Sequence, residues 1–410
     1  MAVSRPYDLV LFGATGFTGG LTAEYLARAV PDGCRWALAG RDADRLAAVR
    51  TRLAALRPDC ADLPLLVADA ADPVALREVA GSARVVISTV GPYLRYGEPL
   101  VAACAEAGTD YVDLTGEPEF VDRMYLRHHA RAVASGARLV HSCGFDSVPH
   151  DLGVLFTVDE LLRRTGRPAG RLSVQGFVRA GGTISGGTFA SALTAMSRPR
   201  ATALAARERR AADPRPAGRR IRAIGGLPGR SRPAHAWTVP LPTIDPQVVV
   251  RSAAALDRYG PDFGYRHAAA VKRLPVALAG MAAVALLAVA AQFPAARRAL
   301  SALRRPGQGP SAEQRARSWF TVRFVAENAD GRVCTEVSGG DPGYTETAVM
   351  LAESALCLAY DDLPATAGQL TTAAAMGPAL IDRLTAAGLR FTVLDRPPAA
   401  APGADRATRG

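Results

Sequence analysis

Lysine is nearly absent from this chain: Lys272 stands alone among 49 basic residues, and the rest are arginine. A formal charge of +11 would ordinarily suggest nucleic acid or an anionic surface as a partner. Here the charge is spread through an alanine-rich sequence along its whole length, as high-GC codon usage spreads it, so no nucleic-acid partner is expected. The local exception is Arg198 to Arg232, rich in Pro, Gly and Arg, which reads as a solvated loop or as a patch that docks on acidic surface. Cysteine is sparse too. Cys34, Cys60, Cys104, Cys143, Cys334 and Cys357 form no C-x-x-C pair and no metal-ligand spacing, which argues against a disulfide framework or zinc module and for small buried side chains in a reducing compartment. With 49% hydrophobic and 21% charged residues the composition excludes general disorder, apart from an expected loose tail over 397–410. No secretory signal precedes the first strand, so cytoplasm is the expected compartment.

What is present at the N-terminus is a strand, a glycine turn and a helix. Asp8 to Phe12 is a short apolar run, followed by Gly13-Ala14-Thr15-Gly16-Phe17-Thr18-Gly19 and a helical segment from Leu21 to Val30. The three glycines serve separate ends, since Gly13 allows the tight turn, Gly16 lets backbone N–H groups approach a pyrophosphate, and Gly19 lets the helix pack against the strand. A lone glycine pattern is weak evidence, but strand and helix alternation continues through Trp36–Ala39, Leu65–Ala68, Val85–Val90, Asp110–Asp113 and Arg138–His141. Asp72 before Pro73 is the expected cap and first helical residue of one intervening helix. Six such strands predict a Rossmann-type, doubly wound parallel sheet.

The cofactor expected on this sheet is NADPH. An NAD enzyme places a carboxylate after the second strand to hold the ribose 2′-hydroxyl, whereas this chain has Gly40-Arg41-Asp42, and the fork of Arg41 suits a 2′-phosphate. Asp42 stays open as a ribose ligand. Thr89, Val90, Gly91 and Pro92 follow the fourth strand, where they would border the nicotinamide ribose. Asp69, after the third strand, would lie near the adenine or cap the next turn.

These motifs, together with Tyr111-Val112-Asp113-Leu114-Thr115-Gly116-Glu117, Cys143-Gly144-Phe145-Asp146-Ser147-Val148-Pro149, Ser185-Gly186-Gly187-Thr188 and Gly339-Gly340-Asp341-Pro342-Gly343-Tyr344, resemble the saccharopine dehydrogenase-like oxidoreductases. Within that superfamily the chain is most similar to the trans-acting enoyl reductases of bacterial lipid biosynthesis. The resemblance implies reduction of a carbon–carbon double bond in an acyl or polyketide intermediate, presented by a carrier protein or a synthase lacking its own reductase. An amino-acid dehydrogenase of the saccharopine reductase kind, or a noncatalytic NADP-binding, lipid-associated protein, are the competing readings.

Enoyl reduction needs a hydride, stabilisation of the enolate oxygen and a proton. Tyr93, just after the fourth strand, is the first candidate proton donor; Tyr96, Tyr111, His141, Asp146 and His150 are alternatives. Beyond residues 1–150, an α+β domain for substrate binding and dimerisation is expected over 151–344, with a homodimer as its product. Its markers are a strand at Arg171–Arg179, a helix over Gly187–Glu208, and a hairpin of Trp319–Ala326 and Val333–Val337 turned by Asn328-Ala329-Asp330-Gly331, together predicting an antiparallel sheet. Helices in 345–396 are expected to return to the first domain. Leu274 to Phe293 is twenty residues without a charge, of which eight are alanine. It reads as a buried or membrane-dipping helix, with peripheral membrane contact, rather than a span.

Overall fold

A computed structural model of the chain describes residues 5–166, 170–182, 186–213, 216–231, 233–303 and 309–394. The expected tail over 397–410, and Ser185 of the Ser-Gly-Gly-Thr motif, lie outside the described residues.

The first sheet holds β1 (Tyr7–Phe12), β2 (Trp36–Gly40), β3 (Leu65–Val67), β4 (Ala83–Ser88), β5 (Asp110–Asp113) and β6 (Arg138–Val140). The second holds β7 (Arg171–Gly181), β8 (Arg220–Ala223), β9 (Gly229–Ser231), β10 (Ala236–Pro240), β11 (Asp262–Val271), β12 (Trp319–Glu327) and β13 (Arg332–Gly339). The chain then returns β14 (Gly368–Leu370) to the first sheet and β15 (Arg390–Leu394) to the second. The first sheet runs β14-β6-β5-β4-β1-β2-β3 with every pairing parallel. It therefore has a seventh strand beyond the six expected, taken from the C-terminal segment.

A parallel sheet is covered on both faces, and β1 shows why its residues read as an unbroken apolar run. Leu9 and Leu11 belong to one core cluster, Val10 and Phe12 to another on the opposite face. The helix Thr345–Tyr360 is part of the first cover. Arg84 and Arg138 donate to its last carbonyls, at Ala359 (2.6 Å) and Leu358 (3.0 Å), and so pin its C-terminal end to the sheet. Asp72 accepts from Val74 and Ala75 N–H with Pro73 in the first helical position, as its sequence indicates.

The second sheet runs β15-β13-β12-β7-β11-β10-β9, with β8 also beside β11. It is mixed rather than antiparallel, because β11 lies parallel to both β7 and β8. Parallel neighbours need a crossover connection. The long stretch between β7 and β11 supplies it, and much of the supposed loop Arg198–Arg232 is structured within it: a helix Pro199–Ala212, then β8 and β9. The single helix expected over Gly187–Glu208 is two, Gly186–Ser197 and Pro199–Ala212, with proline opening the second. The β12–β13 hairpin closes as its turn residues predict: Asn328 Oδ1 accepts from the N–H groups of Asp330 (2.9 Å) and Gly331 (2.8 Å).

Candidate active site

The glycine turn is built against the end of β4. Gly13 has a positive φ of 93°, and a Cβ there would lie 2.7 Å from both Thr89 Oγ1 and Val90 Cγ2. A Cβ on Gly19 would sit 2.1 Å from the Gly13 carbonyl oxygen. Gly16 differs in kind: its φ of −77° suits any residue, and its Cβ position meets nothing nearer than 3.4 Å. It is exposed, so the space above it is open to a ligand. The helix Phe17–Ala29 starts there without a side-chain cap and without an acidic residue in its first turn. Its leading N–H groups and positive dipole end are thereby left for a pyrophosphate. A cradle that a Cβ at Gly16 would fill, beside an uncapped helix start, fits a dinucleotide.

The neighbouring positions divide between ligand space and support. Ala14 is buried and Thr15 half-buried, while Phe17 packs edge-on to Tyr344 at 4.8 Å and Thr18 accepts from Thr22 Oγ1 through its carbonyl. Thr89 Oγ1 donates to the Gly13 carbonyl at 3.1 Å, locking β4 to the turn. Val90 and Pro92 are half-buried and Gly91 exposed along the same edge. At the end of β2, Arg41 is exposed and makes no hydrogen bond or ion pair among the described residues, so its guanidinium is unengaged. Asp42 is committed elsewhere: it accepts from Arg45 N–H at 3.0 Å as the cap of the helix Ala43–Ala54. Asp69 is exposed and accepts from Ala71 N–H at 2.8 Å, which makes it a turn residue at the carboxyl end of β3.

Tyr93 follows β4, as its sequence position indicates, and its hydroxyl is engaged by backbone on both sides. Its hydroxyl donates to Ser88 O at 3.0 Å and accepts from Leu114 N–H at 3.2 Å, and the residue is buried. Burial, followed by the charge of Asp113, pushes the phenol well above its ordinary range. The hydroxyl joins β4 to the loop after β5. Tyr111 and His141 are likewise core residues: His141 Nδ1 is 2.7 Å from Asp113 Oδ2, with the Tyr111 and Phe120 rings packed edge-on around it. Tyr96 is half-buried beneath Arg95.

Asp146 and His150 are brought together with residues from the second sheet. In a doubly wound sheet the dinucleotide crosses the carboxyl edge where the strand order reverses, here between β1 and β4. The loops after β4, β5 and β6 then flank the nicotinamide half, and Asp146 lies on the last of them. Its carboxyl takes no hydrogen bond among the described residues and lies against Gly116, 3.0 Å from where a Cβ would be. Burial, then the charge of Asp245, raises its pKa to about 7. Behind it, His150 Nδ1 meets the Tyr265 hydroxyl at 3.0 Å, and Asp245 lies 3.9 Å from His150 and 3.4 Å from His267. Desolvation lowers His150 to about 3 and raises Asp245 to about 6, so the imidazole is neutral at physiological pH.

Several residues at this corner were invisible as individuals in the sequence. Glu117, fully buried, accepts from the N–H groups of Tyr93 (3.1 Å) and Leu94 (2.8 Å) and from Ser191 Oγ (2.8 Å), fixing the turn after β4. Thr347 Oγ1 accepts from Phe145 N–H at 3.1 Å and donates to Pro342 O, so the Gly-Gly-Asp-Pro segment holds the Asp146 loop. Both lie in or beside motifs recognised by resemblance. Asp245, Tyr265 and His267 had no such signal.

Residues 9–140 match the family model described as the saccharopine dehydrogenase NADP binding domain. Among proteins of assigned function, the trans-acting enoyl reductase of Mycobacterium leprae is 39% identical, over 94% of this chain and 97% of that one. A Mycobacterium tuberculosis (H37Rv) protein, provisionally assigned as a trans-acting enoyl reductase, is 42% identical over 95% of this chain and 97% of its own length. The chain belongs to the trans-acting enoyl reductase family. Among solved structures, apo saccharopine dehydrogenase (L-Glu forming) from Saccharomyces cerevisiae superposes with a TM-score of 0.55 over 95% of this chain and 100% of that one. At 13% identity that likeness speaks for the fold alone. The alignment with the trans-acting enoyl reductase relatives thus spans both the NADP binding domain and the residues of the second sheet.

Proposed function

We propose that this protein catalyses NADPH-dependent reduction of a carbon–carbon double bond in an acyl or polyketide intermediate, presented by a carrier protein or synthase during lipid biosynthesis. The observation that carries the chemistry is Asp146, a carboxyl that takes no hydrogen bond among the described residues and whose pKa burial and Asp245 raise to about 7, on the loop after β6. When bound, NADPH supplies the hydride for the β-carbon. The Gly13–Gly19 turn and the first helix hold its pyrophosphate, and Arg41 its 2′-phosphate. Asp146, protonated in a substantial fraction of molecules near neutrality, delivers the proton to the α-carbon. Neutral His150, hydrogen-bonded to Tyr265, keeps a positive charge out of that corner, and a cation there would pull the Asp146 pKa down.

The same corner argues against an amino-acid dehydrogenase. A substrate with several carboxylates would call for convergent arginines, and among the described residues the charge that acts on Asp146 is that of Asp245, not of an arginine. Asp146→Asn should lower kcat with an enoyl thioester by roughly a hundredfold or more, with NADPH affinity unchanged. Asp146→Glu should recover part of the loss. Wild-type kcat should fall as pH rises through about 7, the pKa at which Asp146 gives up its proton. Full activity of Asp146→Asn would remove the residue from the mechanism. Turnover of amino acids or keto acids in place of carrier-bound enoyl thioesters would overturn the substrate class.

A further inference from the structure

The helix Leu274–Ala290 is neither buried nor long enough to cross a membrane. It is seventeen residues long, Ala277 is its one buried residue, and no described helix meets the length and apolarity of a span. The expectation of a buried helix is therefore corrected. Seven of the eighteen exposed large apolar side chains among the described residues fall within residues 274–293, including Val276, Leu278, Leu286, Val289 and Phe293. Leu286 is 71% exposed and Val289 59%. One side of the helix rests on β10, β11 and the helix Gly186–Ser197, and Gln292 ties its end to Met196 O at 2.7 Å. The remainder turns these apolar side chains to solvent, and clustered exposed apolar side chains on folded proteins mark contact surfaces.

We propose that this helix seats the protein on the surface of an anionic lipid bilayer. Charge selects the occupant. From Phe263 to Ala312 the sequence holds no Asp or Glu but seven basic residues: Arg266, Lys272, Arg273, Arg297, Arg298, Arg304 and Arg305. Lys272 and Arg273 stand exposed at one end of the helix, and Arg298 is exposed beyond the other. Cations at both ends of an apolar helix suit one lying in the plane of the interface, with its side chains among the acyl chains and its basic ends among anionic headgroups. A second copy of the chain is a poorer occupant. Parallel or antiparallel, self-pairing of this helix sets basic ends against basic ends, and the segment has no carboxylate to answer them. The seat also adjoins the site, because the helix Gly186–Ser197 that supports it carries Ser191, the donor to Glu117. A lipid-borne chain would thus reach the protein on this side. The docking itself does not depend on which reaction the site performs.

The test is co-sedimentation of the full chain with vesicles of phosphatidylcholine alone and of phosphatidylcholine mixed with phosphatidylglycerol, each at low and high salt. The protein should sediment with the mixed vesicles at low salt, be released by high salt, and bind the neutral vesicles weakly. Leu286→Glu/Val289→Glu should abolish sedimentation. Arg297→Gln/Arg298→Gln, removing two charges, should weaken partition about thirtyfold. NADPH binding should stay unchanged in both variants, which shows that they fold. Absence of wild-type binding to anionic vesicles would overturn the proposal, as would equal binding by the variants. A dimer in light scattering that dissociates in Leu286→Glu/Val289→Glu, without vesicle binding by the wild type, would assign the face to a second copy. Wild-type protein that resists both high salt and mild detergent would also overturn surface seating.

Discussion

Arg41→Ala separates reading of the 2′-phosphate from support of the cofactor loop. Because Arg41 is exposed and makes no hydrogen bond or ion pair among the described residues, and Asp42 rather than Arg41 caps the following helix, the substitution removes no polar contact among those residues. Stability should move by less than about 0.5 kcal/mol. A guanidinium fork on a dianionic phosphate at a partly exposed position is worth about 1.5–3 kcal/mol, and each ~1.4 kcal/mol is tenfold. NADPH affinity should therefore fall roughly ten- to a hundredfold. The exposed Arg45, one turn into the helix, retains part of the attraction and favours the lower end of that range. NADH has no 2′-phosphate and should bind as before. Arg41→Lys should recover charge but not the bidentate geometry, giving an intermediate loss, while raised salt weakens NADPH in both the wild type and this variant. Fluorescence titration of both reduced cofactors at fixed ionic strength measures these affinities. Equal loss of NADPH and NADH would refute the reasoning and make Arg41 a support of the loop.

Gly16→Val should abolish binding of both cofactors while leaving the thermal unfolding midpoint nearly unchanged, since its Cβ enters ligand space rather than protein; retained NADPH affinity would displace the cofactor site. Tyr93→Phe should cost about 1–3 kcal/mol in denaturant unfolding, because Leu114 N–H loses its acceptor, yet keep kcat within a few-fold below the unfolding transition. A collapse of kcat with stability intact would make Tyr93 the acid. Asp151, buried and accepting from Thr372 Oγ1 and Ala373 N–H, has its pKa raised from 3.8 to about 6 by desolvation. A raised folded pKa gives stability that is present below about 4 and lost as pH passes through about 6. Wild type should thus lose ground to Asp151→Asn over that window, by at most about 3 kcal/mol, and a pH-independent difference would show that the buried carboxyl does not titrate there.

The cofactor half was legible because its signals are local. The Gly13–Gly19 turn, the Asp72-Pro73 cap and the Asn328 turn each lie within a few residues of what they control, and each adopts the geometry that its residue types allow. The site was legible only as a neighbourhood. Tyr93 is correctly placed after β4, but its hydroxyl is claimed by Leu114, twenty-one residues away, which sequence spacing does not reveal. The pairing of β11 with β7 was missed for the same reason. Parallel register is set by a long crossover and by what covers the two faces, and strand composition carries neither.

By itself the sequence determined the strand–glycine–helix start, the alternation that builds a parallel sheet and the motifs shared with the reductase family. These depend on backbone freedom, side-chain charge and periodicity, which are properties of adjacent residues. Only the tertiary structure decided which carboxyl, on the loop after β6, is left without a hydrogen bond among the described residues. Asp146 owes its raised pKa to burial and to Asp245, ninety-nine positions further along the chain, and its loop is held by Thr347 from the far end of the fold. Desolvation and long-range charge exist only once distant segments have packed. The exposure of Leu274–Ala290 is of the same kind. Its composition equally suits a helix in a core, and its place at the margin of the second sheet leaves it bare.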